Sequence, residues 1–298
     1  MQFIPLGKLS KKLNAAAVRF IVTNEILCVQ LSAHFRKSDG DIYAVFADEQ
    51  KPSEIYGILK IGTTVLHCLP FAAVKTGAPL QENFVKSLAS FLLKRQEEKL
   101  PLPECVNGTA GGSALIMQAF RLIGKNPRQT NEYTLMKLDT AAFSAIQPYP
   151  FMHGEQLVRC KKDVPAIYKQ KLLVLQELYE KEEVVPDCMT FSEDSCRLRL
   201  ANALRTQYIL ALELNGQLVS KAATSAIGFM HVQIGGVFTA LPFRRRHYSF
   251  NTMYAILRKI CRMKKQPVLF VKNRNAAAFA LYKSLRFVPV CSYTIAYY

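Results

Sequence analysis

The stretch QIGGVFTALPFRRRHYSF, residues 233–250, decides how this sequence is read. Its first seven residues are rich in β-branched and aromatic types and read as a strand. The strand passes through Gly235 and Gly236 and runs into a short loop rich in arginine, and the loop opens a helix. The first N–H groups of a helix have no intrahelical acceptor and carry the positive end of its dipole. A phosphate placed there is held by backbone and field together. Arg244, Arg245 and Arg246 add full charges at that place. Two adjacent glycines near the end of the strand allow a bulge, or the close approach of a ligand to the backbone. Alone, a basic helix start is more often a solvated surface than a cradle, so the flanking sequence matters.

Downstream the pattern reads as helix over 249–263, strand over 268–271, helix over 276–285 and strand over 288–297. Upstream, a strand at 156–160 precedes a helix over 163–183, with Asp163 as its cap and Pro165 in its first turn. A second helix, opened by Ser192, runs to 204. Strands follow at 208–214 and 218–226, joined by the hairpin signal Asn215-Gly216, and a third at 230–239. The first half shows a similar order: an amphipathic helix over 13–35, then strands at 42–46, 55–61 and 63–69, with turn signals at Lys51-Pro52-Ser53 and Gly62. A helix at 84–93, a short strand at Cys105-Val106, a helix at 113–123 and a strand at 133–138 complete it. Antiparallel strands followed by β-α-β predict an α+β or mixed α/β fold. Between the halves, DTAAFSAIQPYP (139–150) has two prolines and no apolar period, which gives an N-terminal α/β domain over 1–145 and a second domain over 146–298. The similar order is compatible with a diverged duplication, although residue-level similarity is too weak to assert it.

Residues 219–287 resemble the GNAT superfamily of acyltransferases. GGVFTALPFRRRHYS is similar to that family's strand-and-loop motif ending in R/Q-x-x-G-x-G/A. Asn275-x-x-Ala278-x-x-x-Tyr282-x-x-x-x-Phe287 is similar to its closing N-x-x-A-x-x-x-Y-x-x-x-G-F. The resemblance implies a mixed sheet flanked by helices in the C-terminal half, and a degenerate GNAT-like domain in the N-terminal half. It also implies transfer of an acetyl group from acetyl-CoA to an amine by direct attack in a ternary complex. Carried over by position, Val237, Phe238 and Thr239 would pair with the pantetheine arm through their backbones. Loop amides of Arg245, Arg246, His247, Tyr248 and Ser249 would hold the pyrophosphate, with Arg244 at the first motif position. Asn275 would contact the cofactor arm, and Tyr282 would protonate the departing thiolate. The sequence departs from the pattern at Arg245, His247 and Arg286, which stand where the family commonly has glycine.

Charge supports a polyanionic partner. Lys and Arg outnumber Asp and Glu by 39 to 22, and from Leu214 to Tyr298 there are 13 basic residues and no carboxylate side chain. That surface also fits an alternative, a catalytically inactive GNAT-like scaffold that binds nucleic acid or another polyanion. Arg258, Lys259, Arg262, Lys264 and Lys265 would extend the basic stripe. The general base is open: the acidic cluster Glu177, Glu180, Glu182 and Glu183, His231, and a water relay are all candidates. The glycine-rich run 107–113 (NGTAGGS) lacks the lysine of a P-loop and the spacing of a dinucleotide fingerprint, and reads as a turn. Eight scattered cysteines without a CxxC pair predict reduced thiols, with no metal site. No apolar run is long enough to span a membrane, and no signal peptide opens the chain, so the expectation is a cytoplasmic protein without membrane contact.

Overall fold

A computed structural model describes residues 1–38, 40–47, 54–73 and 78–298; the turn signal at 51–53 lies outside them. The chain forms two compact units. One comprises Met1–Leu135, Gly228–His231 and Val290–Tyr298, the other Met136–Ile227 and Val232–Pro289. No helix among the described residues is long and apolar enough to cross a membrane.

The first ten major elements are β1 (Gln2–Pro5), α1 (Lys11–Thr23), α2 (Val29–Lys37), β2 (Ile42–Phe46), β3 (Ile55–Ile61), β4 (Thr64–Cys68), α3 (Ala78–Glu97), β5 (Cys105–Thr109), α4 (Ala110–Leu122) and β6 (Gln129–Leu138). A short helix, α5 (Thr140–Ser144), follows. The second series is β7 (Gln156–Cys160), α6 (Ala166–Tyr179), α7 (Glu193–Thr206), β8 (Ile209–Leu214), β9 (Gln217–Ile227), β10 (His231–Thr239), α8 (Tyr248–Arg262), β11 (Gln266–Lys272), α9 (Ala276–Ser284) and β12 (Phe287–Tyr297). The two series have one order: strand, two helices, three strands, helix, strand, helix, strand. In the first unit the strands lie β1-β2-β3-β4-β5-β12-β6, and in the second β11-β10-β9-β8-β7. The first unit therefore takes a strand, β12 from Val290 on, from the other half of the sequence. Mixed sheets flanked by helices are present in both units, as the α+β or mixed α/β reading expected.

The helix expected over 13–35 is two helices, broken at 24–28. The cause is a contact distant in sequence. Glu25 is 0% exposed. Its carboxylate accepts from Ser32 Oγ and from the backbone N–H groups of Phe229, Met230 (2.6 Å) and His231 (2.9 Å). His231 Nδ1 lies 2.9 Å away as well. Burial raises the carboxyl pKa, but these donors outweigh it and bring it down to about 2. A continuous helix would carry Glu25 away from that loop. The helix expected from Asp163 starts two residues later, with Pro165 as its cap, and Asp163 instead pairs with Lys161 at 2.8 Å.

The glycine-rich run 107–113 has a packing explanation. β4 and β5 pair in parallel as far as Leu66↔Asn107. The next β4 residue, His67, drives its ring over Gly108 and Gly112, where a Cβ on either glycine would overlap it. The ring is 1% exposed, and its Nε2 lies 3.0 Å from Ser113 Oγ. Burial lowers its pKa to about 3, so it is neutral. The space beside the end of β4 is thus filled by the protein's own side chain. An alanine inside a helix normally gains about 0.5–1 kcal/mol over glycine. Gly112→Ala is expected to reverse that sign and lose about 2 kcal/mol by overpacking in denaturant titration. In a His67→Ala background the same change is expected to be neutral or stabilising.

Candidate active site

The site expected from the sequence lies in the second unit. Along β10 the pairing with β9 advances from Gly235↔Ala223 to Phe238↔Lys221, three residues against two. The extra residue is a bulge, and Gly236 turns through it with φ +62°. Val237, Phe238 and Thr239 follow. Side chains take up the carbonyls this exposes: Lys221 Nζ donates to Gly236 O (3.1 Å), Ser220 Oγ to Phe238 O (3.1 Å) and Arg244 Nε to Thr239 O (2.9 Å). In the first unit the corresponding strand, β4, pairs with β3 from Ile58↔Cys68 to Ile61↔Val65 without a shift.

Beyond Thr239 a single 3₁₀ turn, Leu241–Phe243, leads into the arginine loop and α8. Arg245 (φ +61°) and His247 (φ +60°) are both left-handed. His247 is the cap residue of α8 yet gives no side-chain hydrogen bond to it, so the amides of the first turn, Tyr248 and Ser249 among them, have no side-chain cap. Arg245, Arg246 and His247 are exposed, while the Tyr248 side chain is buried. The imidazole of His247 stacks on Tyr149 at 3.6 Å between centroids, and Tyr149 is pinned to α8 through both side-chain groups of Asn251 (2.9 and 3.0 Å). The third glycine position, Arg286, also has positive φ (+71°). It follows the last residue of α9's final turn and donates its N–H back to Lys283 O, the usual place for glycine after a helix. All three departures from the motif therefore keep the backbone a glycine would take.

The other motif residues gather near the bulge. Asn275 caps α9, accepting from Ala278 N (2.9 Å), and donates to Glu183 Oε1 (3.1 Å). Tyr282 is 7% exposed and its ring meets Phe287 edge-on at 5.9 Å. Burial pushes the phenol well above its ordinary pKa, and Tyr179 and Glu183 push the same way. Tyr179 itself packs on Phe238, next to the bulge, at 5.8 Å.

The acidic cluster is bound up in this site. α6 ends in a π-helical turn, Glu180–Val184, a distortion common where helices serve a site. Its carboxylates take separate partners: Glu180 pairs with Arg199, Glu182 with Arg244, and Glu183 lies 3.8 Å from Lys272, whose Nζ also donates to the Glu183 carbonyl at 2.6 Å. Burial raises the Glu180 carboxyl, but Arg199 and Gln176 outweigh it and hold it below its ordinary value. Lys221 was not singled out from the sequence. It is 3% exposed, and its Nζ lies 4.0 Å from the centre of the Tyr179 ring. Burial lowers its pKa to about 7, against the opposing pull of Glu180 and Cys196. Its only signal was a basic residue in the apolar strand 218–226. His231 belongs to the first unit, tied to Glu25. Arg258, Lys259, Arg262 and Lys264 are exposed along and after α8, and Lys265 is partly so. Among the described residues there is no group of three or more His, Cys, Asp or Glu able to hold a metal.

A left-handed L-residue costs about 1–2 kcal/mol relative to glycine. Arg286→Gly is therefore expected to raise the unfolding free energy by about 1 kcal/mol in denaturant titration. Arg286→Ala, which removes the side chain but keeps the Cβ, is expected to give no gain.

No family model matches the chain, and no curated protein matches it in sequence. Solved structures do match in shape. A protein of Drosophila is similar with a TM-score of 0.64 at 11% identity, covering 99% of this chain and 98% of that one. A tandem GNAT protein from the clavulanic acid biosynthesis pathway is similar at 0.58 and 12%, covering 99% and 97%. An acetyltransferase from the GNAT family of Colwellia psychrerythraea is similar at 0.55 and 9%, covering 99% and 98%. This chain has the GNAT fold, matched over nearly its whole length.

Proposed function

We propose that the second unit transfers an acetyl group from acetyl-CoA to an amine by direct attack within a ternary complex. The observation that carries this reading is the arginine loop's backbone: residues that disfavour left-handed φ nevertheless adopt it at Arg245 and His247, immediately before an uncapped helix start. Holding such conformations costs free energy, and strain of this kind is concentrated at ligand sites. In this reading the amides of Arg245, Arg246, His247, Tyr248 and Ser249 bind the pyrophosphate, and Arg244 supplies charge at the loop's edge. The bulge at Gly236 shifts the register of Val237, Phe238 and Thr239 against β9, and the pantetheine arm would lie along their backbone. Acetyl-CoA supplies the activated acyl group. Asn275 orients the arm from the start of α9, and Tyr282 gives its proton to the leaving sulfur. A phenol with a raised pKa stays protonated at neutral pH, as a general acid must. The carboxylates of the π-helical turn hold Arg244, Lys272 and Asn275 in place.

Calorimetry with acetyl-CoA at low salt tests the reading: heat and saturable binding are expected, and their absence would sink it. Tyr282→Phe is expected to keep that affinity while lowering turnover by ~10²–10⁴-fold, since one proton donor is lost and the ring stays. Arg244→Ala with Arg246→Ala is expected to do the reverse, weakening binding and flattening its salt dependence. Unchanged acetyl-CoA binding in the double variant together with lost RNA binding would assign the loop to nucleic acid.

A further inference from the structure

Acyl transfer to an amine needs a group that removes the amine's proton, and the carboxylates of the π-helical turn are engaged. Glu180 holds Arg199, Glu182 holds Arg244, and Glu183 faces Lys272 and Asn275. Glu213, the last carboxylate in the sequence, accepts from Tyr168 (2.7 Å) and Lys171 (3.1 Å). What faces the bulge is an amine. Lys221 reaches from β9 to the Gly236 carbonyl at 3.1 Å. A Cβ at Gly236 would stand 3.2 Å from its Nζ, so the glycine leaves it room as well as supplying the turn. Tyr179 of α6 lies 4.0 Å from Nζ. Glu180 of the π-helical turn and Cys196 of α7 also face it, with Arg199 behind Glu180. Desolvation outweighs these neighbours, so near neutrality a substantial share of Lys221 is uncharged. A neutral amine can donate one N–H to the bulge carbonyl and keep its lone pair for a proton. Glutamine would satisfy the same carbonyl without burying an ionisable group.

We propose that Lys221 Nζ is the proton acceptor of the transfer reaction. The assignment rests on the acyl-transfer reading above. As the acceptor nitrogen bonds to the acyl carbon, its proton passes to the lone pair of Lys221. The carbon–sulfur bond breaks, and the sulfur takes the proton of Tyr282. The products are amide and thiol, leaving Lys221 protonated and Tyr282 deprotonated. A proton passing from the first to the second through solvent resets the pair. Tyr179 feels both groups, packing on Nζ and acting on the charge of Tyr282.

The test uses the full chain with acetyl-CoA, water serving as acceptor, and follows release of free CoA thiol across the neutral pH range. The wild-type rate is expected to rise with pH to a plateau with its midpoint at about 7, as Lys221 loses its proton. Lys221→Met is expected to lose that limb and ~10²–10⁴-fold in rate, and Lys221→Gln, which keeps a donor for the Gly236 carbonyl, to leave calorimetric acetyl-CoA affinity unchanged. In rate, Lys221→Gln is expected to behave like Lys221→Met. A rate restored by glutamine would show that Lys221 only satisfies the carbonyl, and would overturn the proposal. So would an intact limb in either variant, or an acetyl group found on Lys221 itself by peptide mass spectrometry, which would make it a nucleophile. A wild-type rate with no limb near neutrality overturns it however the variants fold. Failure of acetyl-CoA to bind at all would remove the acyl-transfer reading and this assignment together, whereas binding with turnover independent of Lys221 removes the assignment alone.

Discussion

The bulge in β10 leaves the half-buried carbonyl of Gly236 in need of a donor; a fully buried carbonyl without one costs about 1–3 kcal/mol. Lys221 supplies the donor, and the other arrangements at the site follow from placing that amine. A buried ammonium needs an aromatic face or a carboxylate nearby, and the end of α6 gives both, as Tyr179 and Glu180. The turn that follows Tyr179 is a π-helix, and it carries Glu182 and Glu183 onto Arg244, Lys272 and Asn275. One irregularity in a strand is thereby linked to the arginine loop, to the end of β11 and to the start of α9.

The loop shows why motif identity and backbone conformation are separate kinds of information. Read as letters, Arg245, His247 and Arg286 break the motif. In the structure each adopts the left-handed conformation that glycine would take, with φ between +60° and +71°. The packing that compels this is visible at His247, clamped against Tyr149, and at Arg286, whose N–H closes the end of α9. The bulky residues do change what surrounds the amides, adding two arginines and an imidazole where glycine offers bare backbone. A strongly basic loop of this kind binds an anion with more charge and less close approach than a glycine-rich one.

Elements governed by local chemistry were legible. Asn215-Gly216 forms its hairpin with both residues at positive φ, and Ser192 caps α7 through Ser195 N. The strand, loop and helix of 233–250 appear where the sequence put them, and of the two roles open to Gly235 and Gly236 the structure shows a bulge. What could not be read depends on contacts distant in sequence. The break at 24–28 is set by the backbone of Phe229 to His231, roughly two hundred residues on. The glycines of 107–113 are explained by His67, a residue in another strand. Lys221 is a lone charge in an apolar strand, and only the fold brings Gly236 and Tyr179 to it. The repeated order of elements was visible, but not that the first unit takes β12 from the other half of the sequence.

The two series share one order yet differ where chemistry would occur. β4 keeps a regular register and its end is packed with a neutral histidine, whereas β10 is bulged and leads into the basic loop. The central claim is that acetyl-CoA is held by the second series, against β10 and the start of α8. Amide hydrogen exchange with and without acetyl-CoA addresses it most directly. The account predicts slowed exchange in 236–250 and at the start of α9, with β4 and 107–113 unchanged. Protection confined to 107–113, or to the basic residues of 258–265, would contradict it.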